Sequence, residues 1–269
     1  MSAAYSDLDR PPLSATALSR ALVRPGSLWT AVRVVGETGS TNADVVAAAA
    51  AGEVAGLVVV AESQTGGRGR LGRVWVSPPQ AGLTFSLLLR PAVPRERWGW
   101  LPLLAGLAVA RAVEQVAALA AVVKWPNDVL AGAGRRKIAG VLAEISGDAV
   151  VLGIGVNVTT RSDELPGPEA TSLALEDATS TDRMPLLVTI LRALAEDYGD
   201  WLGGADVRQS YLQRCDTIGR PVRVTRPGNR DLTGDAKYID VAGHLVVVDA
   251  DGVQTIVAAG DVTHVRAAG

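Results

Sequence analysis

The pattern of apolar and polar residues divides this chain into two parts. Up to about residue 216, short apolar runs typical of buried strands alternate with longer segments in which apolar residues recur at helical spacing. From residue 218 onward the pattern changes to short strands separated by turn residues, such as those at 227–229 and 251–252. The first part therefore predicts an α+β domain, and the second part predicts a small β-barrel.

These periods place each predicted element along the chain. In the first part, strands are predicted at 29–35, 57–61, 82–90, 122–130, 137–145 and 150–158. Helices are predicted at 14–23, 41–51, 97–119, 184–201 and 207–215. In the second part, strands are predicted at 221–225, 232–239, 244–249, 253–258 and 262–265. The resulting domains are a partly disordered N-terminal extension at 1–26, a main domain at 27–216 and the barrel at 217–269.

Composition narrows the class of protein. The chain is 48% hydrophobic, which suits a buried core, and its net charge of −2 gives no overall attraction to nucleic acid or anionic lipid. Cys215 is the only cysteine, so neither an internal disulfide nor a thiolate metal cluster is expected. No signal-peptide pattern is present, and the apolar runs at 101–110 and 116–123 are too short to span a bilayer. A cytoplasmic protein without membrane partners is expected.

Lysine and asparagine are rare in this chain. Only three of the 26 basic residues are lysine, at positions 124, 137 and 237, and only four asparagines occur. Two of these lysines and three of these asparagines fall in the polar motifs described below. Their placement supports a chemical role for those motifs.

The most distinctive motif is the loop at 64–75, which contains three arginines, four glycines and no acidic residue. Glycine allows backbone N–H groups to turn toward a ligand, and arginine offers paired donors for phosphate or carboxylate oxygens. The loop therefore indicates an anion-binding segment, with a solvated basic linker as the weaker interpretation. Gly67, Gly69 and Gly72 also satisfy the dinucleotide-binding fingerprint. That fingerprint requires a helix to follow, whereas residues 74–79 are extended and end in two prolines.

Three further polar clusters lie where predicted elements begin or end. Residues 40–42 open a predicted helix, and Thr41 with Asp44 has the spacing of a capping box. Residues 124–128 interrupt an apolar strand with lysine, asparagine and aspartate, which suits a binding site as well as a turn. Glycines inside the strands at 140 and 155 indicate close approach of a ligand to the backbone. The two histidines, His244 and His264, are interpreted as structural.

Taken together, four segments resemble one family, the bacterial biotin–protein ligases of the BirA type. These segments are 40–42, the glycine- and arginine-rich loop 67–75, the run 124–128, and Lys137 and Gly140 followed by Gly155 and Asn157. The resemblance covers roughly residues 30–269 in order and spacing. It implies a class II aminoacyl-tRNA-synthetase-like, mixed but mainly antiparallel sheet with helices, followed by a small SH3-like β-barrel.

The resemblance also implies a two-step reaction that uses biotin and MgATP. Biotin is activated to biotinyl-5′-AMP with release of pyrophosphate, and a lysine of a biotin carboxyl carrier domain of an acyl-CoA carboxylase then accepts the biotinyl group. The implied catalytic residues are Lys137, Arg68 and Asp128. Mg²⁺ is expected to arrive with ATP, and no protein metal site is implied.

The implied binding residues divide between the two substrates. Ser40, Thr41 and Gln64 would bind the polar end of biotin, and Gly140 would let the ligand lie flat. Asn127 and Asn157 would hold the nucleotide and its Mg²⁺, and Trp75 would pack over the closed site. The remaining residues that the resemblance assigns to binding are Asn42, Gly67, Arg68, Gly69, Arg70, Lys124, Lys137 and Gly155.

The resemblance leads to three further expectations. The loop 64–75 should be mobile without ligand and closed when biotin and ATP are bound, because the mixed anhydride hydrolyses in water. The N-terminal region has no room for a winged-helix domain, so specific DNA binding is not expected. The alternatives are a lipoate–protein ligase of the same fold, and a non-enzymatic module that binds nucleotide or RNA phosphates.

Overall fold

A computed structural model describes residues 10–226 and 230–265 of the chain. Its helices are α1 (Ala15–Leu22), α2 (Thr41–Ala50), α3 (Trp100–Ala117), α4 (Arg183–Leu202) and α5 (Arg208–Leu212). The strands of the main domain are β1 (Ala31–Val35), β2 (Leu57–Ala61), β3 (Gly82–Leu89), β4 (Ala121–Lys124), β5 (Asp128–Ala131), β6 (Arg136–Ser146) and β7 (Ala149–Asn157). The C-terminal strands are β8 (Pro221–Arg226), β9 (Arg230–Ile239), β10 (Leu245–Val248), β11 (Gln254–Val257) and β12 (Asp261–His264).

The strands of the main domain form one seven-stranded sheet in the order β1-β2-β3-β7-β6-β5-β4. Strands β1 and β2 pair in parallel, and every other neighbouring pair in this sheet is antiparallel. The predicted mixed, mainly antiparallel α+β architecture is therefore confirmed. Strands β6 and β7 lie next to each other inside the sheet, so the glycines at 140 and 155 are interior positions.

Helices cover both faces of this sheet. Helices α3 and α4 pack together on one face and form the main core with the sheet, and α2 packs with β2, β3 and β7 in a smaller cluster on the other. The helical segment Arg95–Ala117 is long and apolar enough to cross a membrane by length and composition. The shorter apolar runs noted in the sequence did not reveal this. However, 72% of its most apolar window is buried inside the fold, as in a core helix.

The C-terminal strands form a second sheet in the order β11-β10-β9-β8-β12. This sheet packs against the main domain at α3 and at the turn after β4, where two buried indoles cross the junction. Trp100 Nε1 donates to the carbonyl of Val241, and Trp125 Nε1 donates to the carbonyl of Gly243, each at 3.0 Å. This junction brings β12 beside the main sheet, where it contributes to the site described next.

The N-terminal extension at 1–26, which was predicted to be partly disordered, packs on the main domain from residue 10 onward. Residues 1–9 lie outside the described part of the chain, but Arg10 is buried and pairs with Glu164 at 2.9 Å. Helix α1 follows with Leu18 fully buried in the main core. A buried arginine requires fixed acceptors, so the chain from residue 10 onward is part of the folded domain.

Candidate active site

The loop at 64–75, here called the lid, leaves β2 and folds back on itself. Gly69 N donates to the carbonyl of Arg73 at 2.7 Å, and Trp75 N donates to the carbonyl of Gly67 at 2.9 Å. A Cβ atom on Gly67 would lie 2.3 Å from the carbonyl oxygen of Trp75. Gly67 is therefore needed for the lid's own packing. The chain after Gly72 is not helical, which confirms that the dinucleotide-binding fingerprint was a coincidental match.

Each lid arginine meets an acceptor on a different element. Arg68 Nη1 lies 3.6 Å from Oε1 of Glu144 on β6. Arg70 Nη1 donates to Asn127 Oδ1 at 2.9 Å in the turn between β4 and β5.

The third lid arginine reaches the C-terminal sheet, because Arg73 forms an ion pair with Asp261 at the start of β12. Burial lowers the pKa of the Arg70 guanidinium, and the charge of Asp128 opposes that shift. Arg70 is the lid arginine that lies deepest, while Arg68 and Arg73 are half exposed or more.

Lys137 and Asp128 form an ion pair across β5 and β6, with 2.6 Å between Nζ and Oδ1. Simple alternation would place Lys137 and Gly140 on opposite faces of β6. The register of β5 against β6 shifts between Val129 and Leu130, and such a bulge turns the side chains beyond it to the other face. As a result Lys137 Nζ would lie 3.4 Å from a Cβ on Gly140, on the same face of the sheet.

The start of α2 supplies a network of polar side chains. Thr41 donates both its backbone N–H and its hydroxyl to Gln64 Oε1, at 2.7 and 3.0 Å. Asn42 Nδ2 donates to Glu144 at 2.6 Å, and the buried hydroxyl of Ser86 lies 2.5 Å from Asn42 Oδ1. The network connects the base of the lid to β3 and β6.

The capping box predicted at Thr41 and Asp44 does not form. Ser40 is the N-cap residue of α2, and its side chain makes no capping hydrogen bond. Asp44 instead accepts a hydrogen bond from Thr38 at 2.7 Å. The hydroxyl of Thr41 donates to Gln64 Oε1 instead.

The floor of the site is bare backbone beneath an indole. Gly140 and Gly155 lie directly opposite each other in the β6–β7 pairing. A Cβ on Gly155 would lie 2.3 Å from the Trp75 ring, and one on Gly140 would lie 3.3 Å from it. The lid's own Trp75 therefore occupies the surface on which the ligand was predicted to lie flat.

The asparagines bond to backbone near the same floor. Asn157 is buried at the end of β7, and its Nδ2 donates to the carbonyl of Thr171 at 2.9 Å. Asn127 Nδ2 donates to the carbonyl of Val141 at 3.1 Å, which leaves Oδ1 for Arg70. Both asparagines therefore brace the loops around the site.

One cavity of about 1160 Å³ unites these groups. All the residues predicted to bind or catalyse line it except Gly67, which lies outside it. Lys137, Arg68 and Arg70 share this cavity, as the predicted chemistry requires. The lining residues that belong to the predicted set are Ser40, Thr41, Asn42, Gln64, Arg68, Gly69, Arg70, Trp75, Lys124, Asn127, Asp128, Lys137, Gly140, Gly155 and Asn157.

Sequence reasoning missed several residues at this site. Glu144 lies in a predicted strand and is absent from the predicted set, although a carboxylate in an otherwise apolar run is a usable signal. Asp261 and His264 line the cavity from β12, and no pattern along the chain connects them with the lid. Burial, followed by the charge of Lys124, lowers the pKa of His264 to about 4, so this ring is neutral at pH 7. It is a cavity-lining group as well as a structural one.

Comparison with known proteins identifies the class. Residues 48–159 match the biotin/lipoate A/B protein ligase family, and residues 217–265 match the biotin protein ligase C-terminal domain. The chain is 44% identical over 266 residues to a biotin–[acetyl-CoA-carboxylase] ligase of Mycobacterium tuberculosis, which covers 96% of this chain and 97% of that protein. The chain belongs to the biotin protein ligases.

Two further relatives define what is shared. A bifunctional ligase/repressor of Bacillus spizizenii is 34% identical over 214 residues, which span 76% of this chain but only 65% of that protein. The solved biotin protein ligase of Aquifex aeolicus, in complex with biotin and ATP, superposes with a TM-score of 0.75 at 29% identity. That match covers 89% of this chain and all of the other, and it confirms the class II synthetase-like fold with an SH3-like C-terminal domain.

Proposed function

We propose that this chain is a biotin–[acetyl-CoA-carboxylase] ligase that forms biotinyl-5′-AMP and then transfers biotin to a lysine of a carrier protein. The single observation that carries the proposal is the shared cavity, in which two lid arginines and Lys137 surround one space above the glycine floor. The M. tuberculosis relative bears the name of this activity. The chemistry below is derived from the residues of this chain.

The first step joins two anions, so the site must lower their repulsion. A carboxylate oxygen of biotin attacks the α-phosphorus of MgATP, and pyrophosphate leaves. Arg68 and Arg70 can donate to phosphate and carboxylate oxygens, and Lys137 adds a compact ammonium between them. Asp128 already pairs with Lys137 at 2.6 Å and fixes its position on β6.

The neutral polar end of biotin needs hydrogen-bonding groups inside the fold. Thr41 and Gln64 supply a hydroxyl and an amide at the base of the lid, and Ser40 lies beside them. Buried polar groups of this kind recognise a ligand because leaving them unpaired is costly. The Trp75 ring lies against the glycine floor in this structure, so the flat part of the ligand would displace it to lie there, with Trp75 then packing over the ligand.

The second step requires an amine to attack the mixed anhydride. The lysine nitrogen of the carrier protein bonds to the biotinyl carbonyl carbon, AMP leaves, and the amine releases a proton. Asp128 is the carboxylate in the cavity next to Lys137, and it is positioned to orient that amine or to accept its proton. The acceptor is proposed to be a biotin carboxyl carrier domain.

Biotin-dependent exchange of ATP with labelled pyrophosphate, followed by labelled-biotin transfer to a carrier domain, tests this proposal. Lys137→Ala and Arg68→Ala should each reduce exchange by about 10² to 10³, because each removes a donor for developing charge. Arg33→Ala is the matched control, since Arg33 forms an exposed ion pair with Glu53 away from the cavity. ATP–pyrophosphate exchange without biotin, or normal exchange rates in both site variants, would contradict the assignment of ligase activity to this site.

The alternatives give different products in the same experiment. A lipoate ligase would attach lipoate to its carrier in preference to biotin, and the mass of the modified carrier would reveal this. The match of residues 217–265 to the biotin protein ligase C-terminal domain favours biotin. A phosphate-binding module would bind nucleotide or RNA but would catalyse no exchange.

We also propose that this ligase acts in the cytoplasm and does not bind operator DNA. Among the described residues, α1 is the only helix before β1, which does not make a winged helix-turn-helix. Specific retention of an operator fragment in a gel shift would overturn this part of the proposal.

A further inference from the structure

Residues 10–13, here called the strap, are attached to the main domain by the Arg10–Glu164 ion pair and by backbone hydrogen bonds to a second ion pair, Arg183–Glu62. Arg10 donates to the carbonyl of Thr159 and to Glu164 Oε2, each at 2.9 Å, and its side chain is only 7% exposed. Leu13 N donates to Glu62 Oε1 at 2.5 Å.

The second ion pair lies under the other end of the strap. Arg183 pairs with Glu62 at 2.6 Å, with side-chain exposures of 4% and 9%, and it also donates to the carbonyl of Pro11. Arginine and glutamate are rarely buried unless each is fully paired, so this arrangement fixes the strap in one position.

The strap contacts the bases of two loops that surround the active-site cavity. Glu62 immediately follows β2 and lies two residues before the lid. Thr159 and Glu164 lie in the loop after β7, whose residues Pro166 and Glu169 line the cavity. The two loops are distant in sequence, and the strap contacts both.

The far arm of the second loop runs beside Lys137. Lys137 N donates to the carbonyl of Glu169 at 2.7 Å, and Thr171 N donates to the carbonyl of Lys137 at 2.8 Å. The backbone that carries the ammonium is therefore bonded on both sides to this loop. Movement of the loop would move Lys137.

Glu164 connects the strap to the loop through two hydrogen bonds. Burial alone would raise the pKa of this carboxyl, but hydrogen bonds from Arg10 and from the backbone of Arg161 bring the pKa below its ordinary value. The Glu164 carboxylate accepts one hydrogen bond from the strap, at 2.9 Å from Arg10 Nη2. It accepts another from its own loop, at 2.8 Å from Arg161 N.

We propose that Arg10 is a positioning residue of the ligase. It holds the loop at 159–171 in place and thereby fixes Lys137 for the phosphate side of the reaction. The expected kinetic effect rests on the proposed function, whereas the contact between the strap and the loop does not depend on it. The residues at the biotin end, Thr41 and Gln64, are held by their own network and should not depend on Arg10 in the same way.

Steady-state kinetics of Arg10→Ala test the kinetic consequence. We expect kcat/KM for ATP to fall about ten- to a hundredfold, since small misplacement of a reacting group has effects of that order. The KM for biotin should change less than about twofold. Arg10→Lys should give an intermediate value, because a point charge reaches Glu164 without the paired geometry that also serves Thr159.

A stability-matched control separates positioning from general destabilisation. Leu18→Ala removes a fully buried side chain from α1, the helix after the strap, and leaves the strap's ion pairs intact. It should lower the unfolding midpoint without a preferential change in the KM for ATP. If Arg10→Ala does not fold, Glu164→Gln removes the same ion pair while keeping the shape of the side chain.

Hydrogen exchange of the ligand-free protein tests the contact without reference to activity. Amides at 160–171 should exchange at least about tenfold faster in Arg10→Ala, and amides of α4 should not. Unchanged exchange there, or equal changes in the KM for ATP and biotin, would overturn the inference. Absence of biotin-dependent exchange activity in the wild-type chain would instead sink the proposed function, and the hydrogen-exchange result would still decide whether the strap holds the loop.

Discussion

At the scale of single residues, the site depends on the absence of side chains at Gly140 and Gly155. It also depends on the bulge that turns Lys137 to the same face of the sheet as these glycines. The sequence showed that Gly140 and Gly155 interrupt strands, and a close approach to backbone was predicted there. It could not show that β5 and β6 slip against each other, which turns Lys137 to the glycine face. A bulge depends on the pairing of two strands, so the pattern of one strand does not reveal it.

Substitution of Gly155 should therefore alter the floor of the site. In Gly155→Ala the new methyl group would lie 2.3 Å from the Trp75 ring, so the indole must leave the floor. We expect biotin-dependent exchange to fall by about tenfold or more, because the methyl group would occupy part of the floor on which the ligand is proposed to lie. The free energy of unfolding should fall by only about 1–3 kcal/mol, the usual range for one added methyl group in a packed site.

Gly199→Ala provides the comparison for that variant. Gly199 lies in α4, and no atom of a neighbouring residue lies within 4 Å of where its methyl group would be. Alanine should therefore be neutral there or stabilise the helix by up to about 1 kcal/mol. Normal activity in Gly155→Ala would contradict the role assigned to the glycine floor.

At the scale of elements, the lid is attached partly by ion pairs that each contribute little stability. Arg68 and Arg73 are 50% and 62% exposed, and ion pairs of that kind contribute about 0–1 kcal/mol each. The lid itself was predictable from its glycines and arginines. Its three partners were not, because Glu144, Asn127 and Asp261 belong to elements that only the fold brings together.

Weak attachment leads to a prediction about the lid's mobility. Trypsin should cut the ligand-free protein at Arg68, Arg70 or Arg73, and biotin with ATP should slow this cleavage by about tenfold or more. Cleavage at Arg208, in α5 and away from the cavity, serves as the internal reference. Equal rates at the lid with and without both ligands would show that the lid does not close over them.

At the scale of the whole molecule, the C-terminal sheet completes a site that lies mostly in the main domain. The change of pattern near residue 218 predicted a separate barrel correctly, and each of its strands forms close to its predicted position. The sequence contains no sign that β12 would line the cavity, since that depends on how the two sheets dock. His264 of β12 lies at this junction near Asp216.

His264 should make stability depend on pH. Its folded-state pKa of about 4 lies below the ordinary value of 6.5, so the unfolded chain binds the extra proton more readily between those values. Stability is therefore lost as the pH falls from about 6.5 toward 4, by up to about 3 kcal/mol from this group. Urea unfolding of His264→Gln should show a shallower loss over this range, and an unchanged slope would contradict the assignment.

The scarcity of lysine affects how readily biotinyl-5′-AMP can modify the ligase itself. An activated acyl group that escapes will react with any free amine nearby, whereas guanidinium groups stay protonated and inert. Two of the three lysines line the cavity, and Lys237 on β9 is the only lysine side chain elsewhere, half exposed beside Asp235. Because most basic residues outside the cavity are arginine, released biotinyl-AMP finds few lysine amines there to acylate. Little self-biotinylation of the ligase is therefore expected.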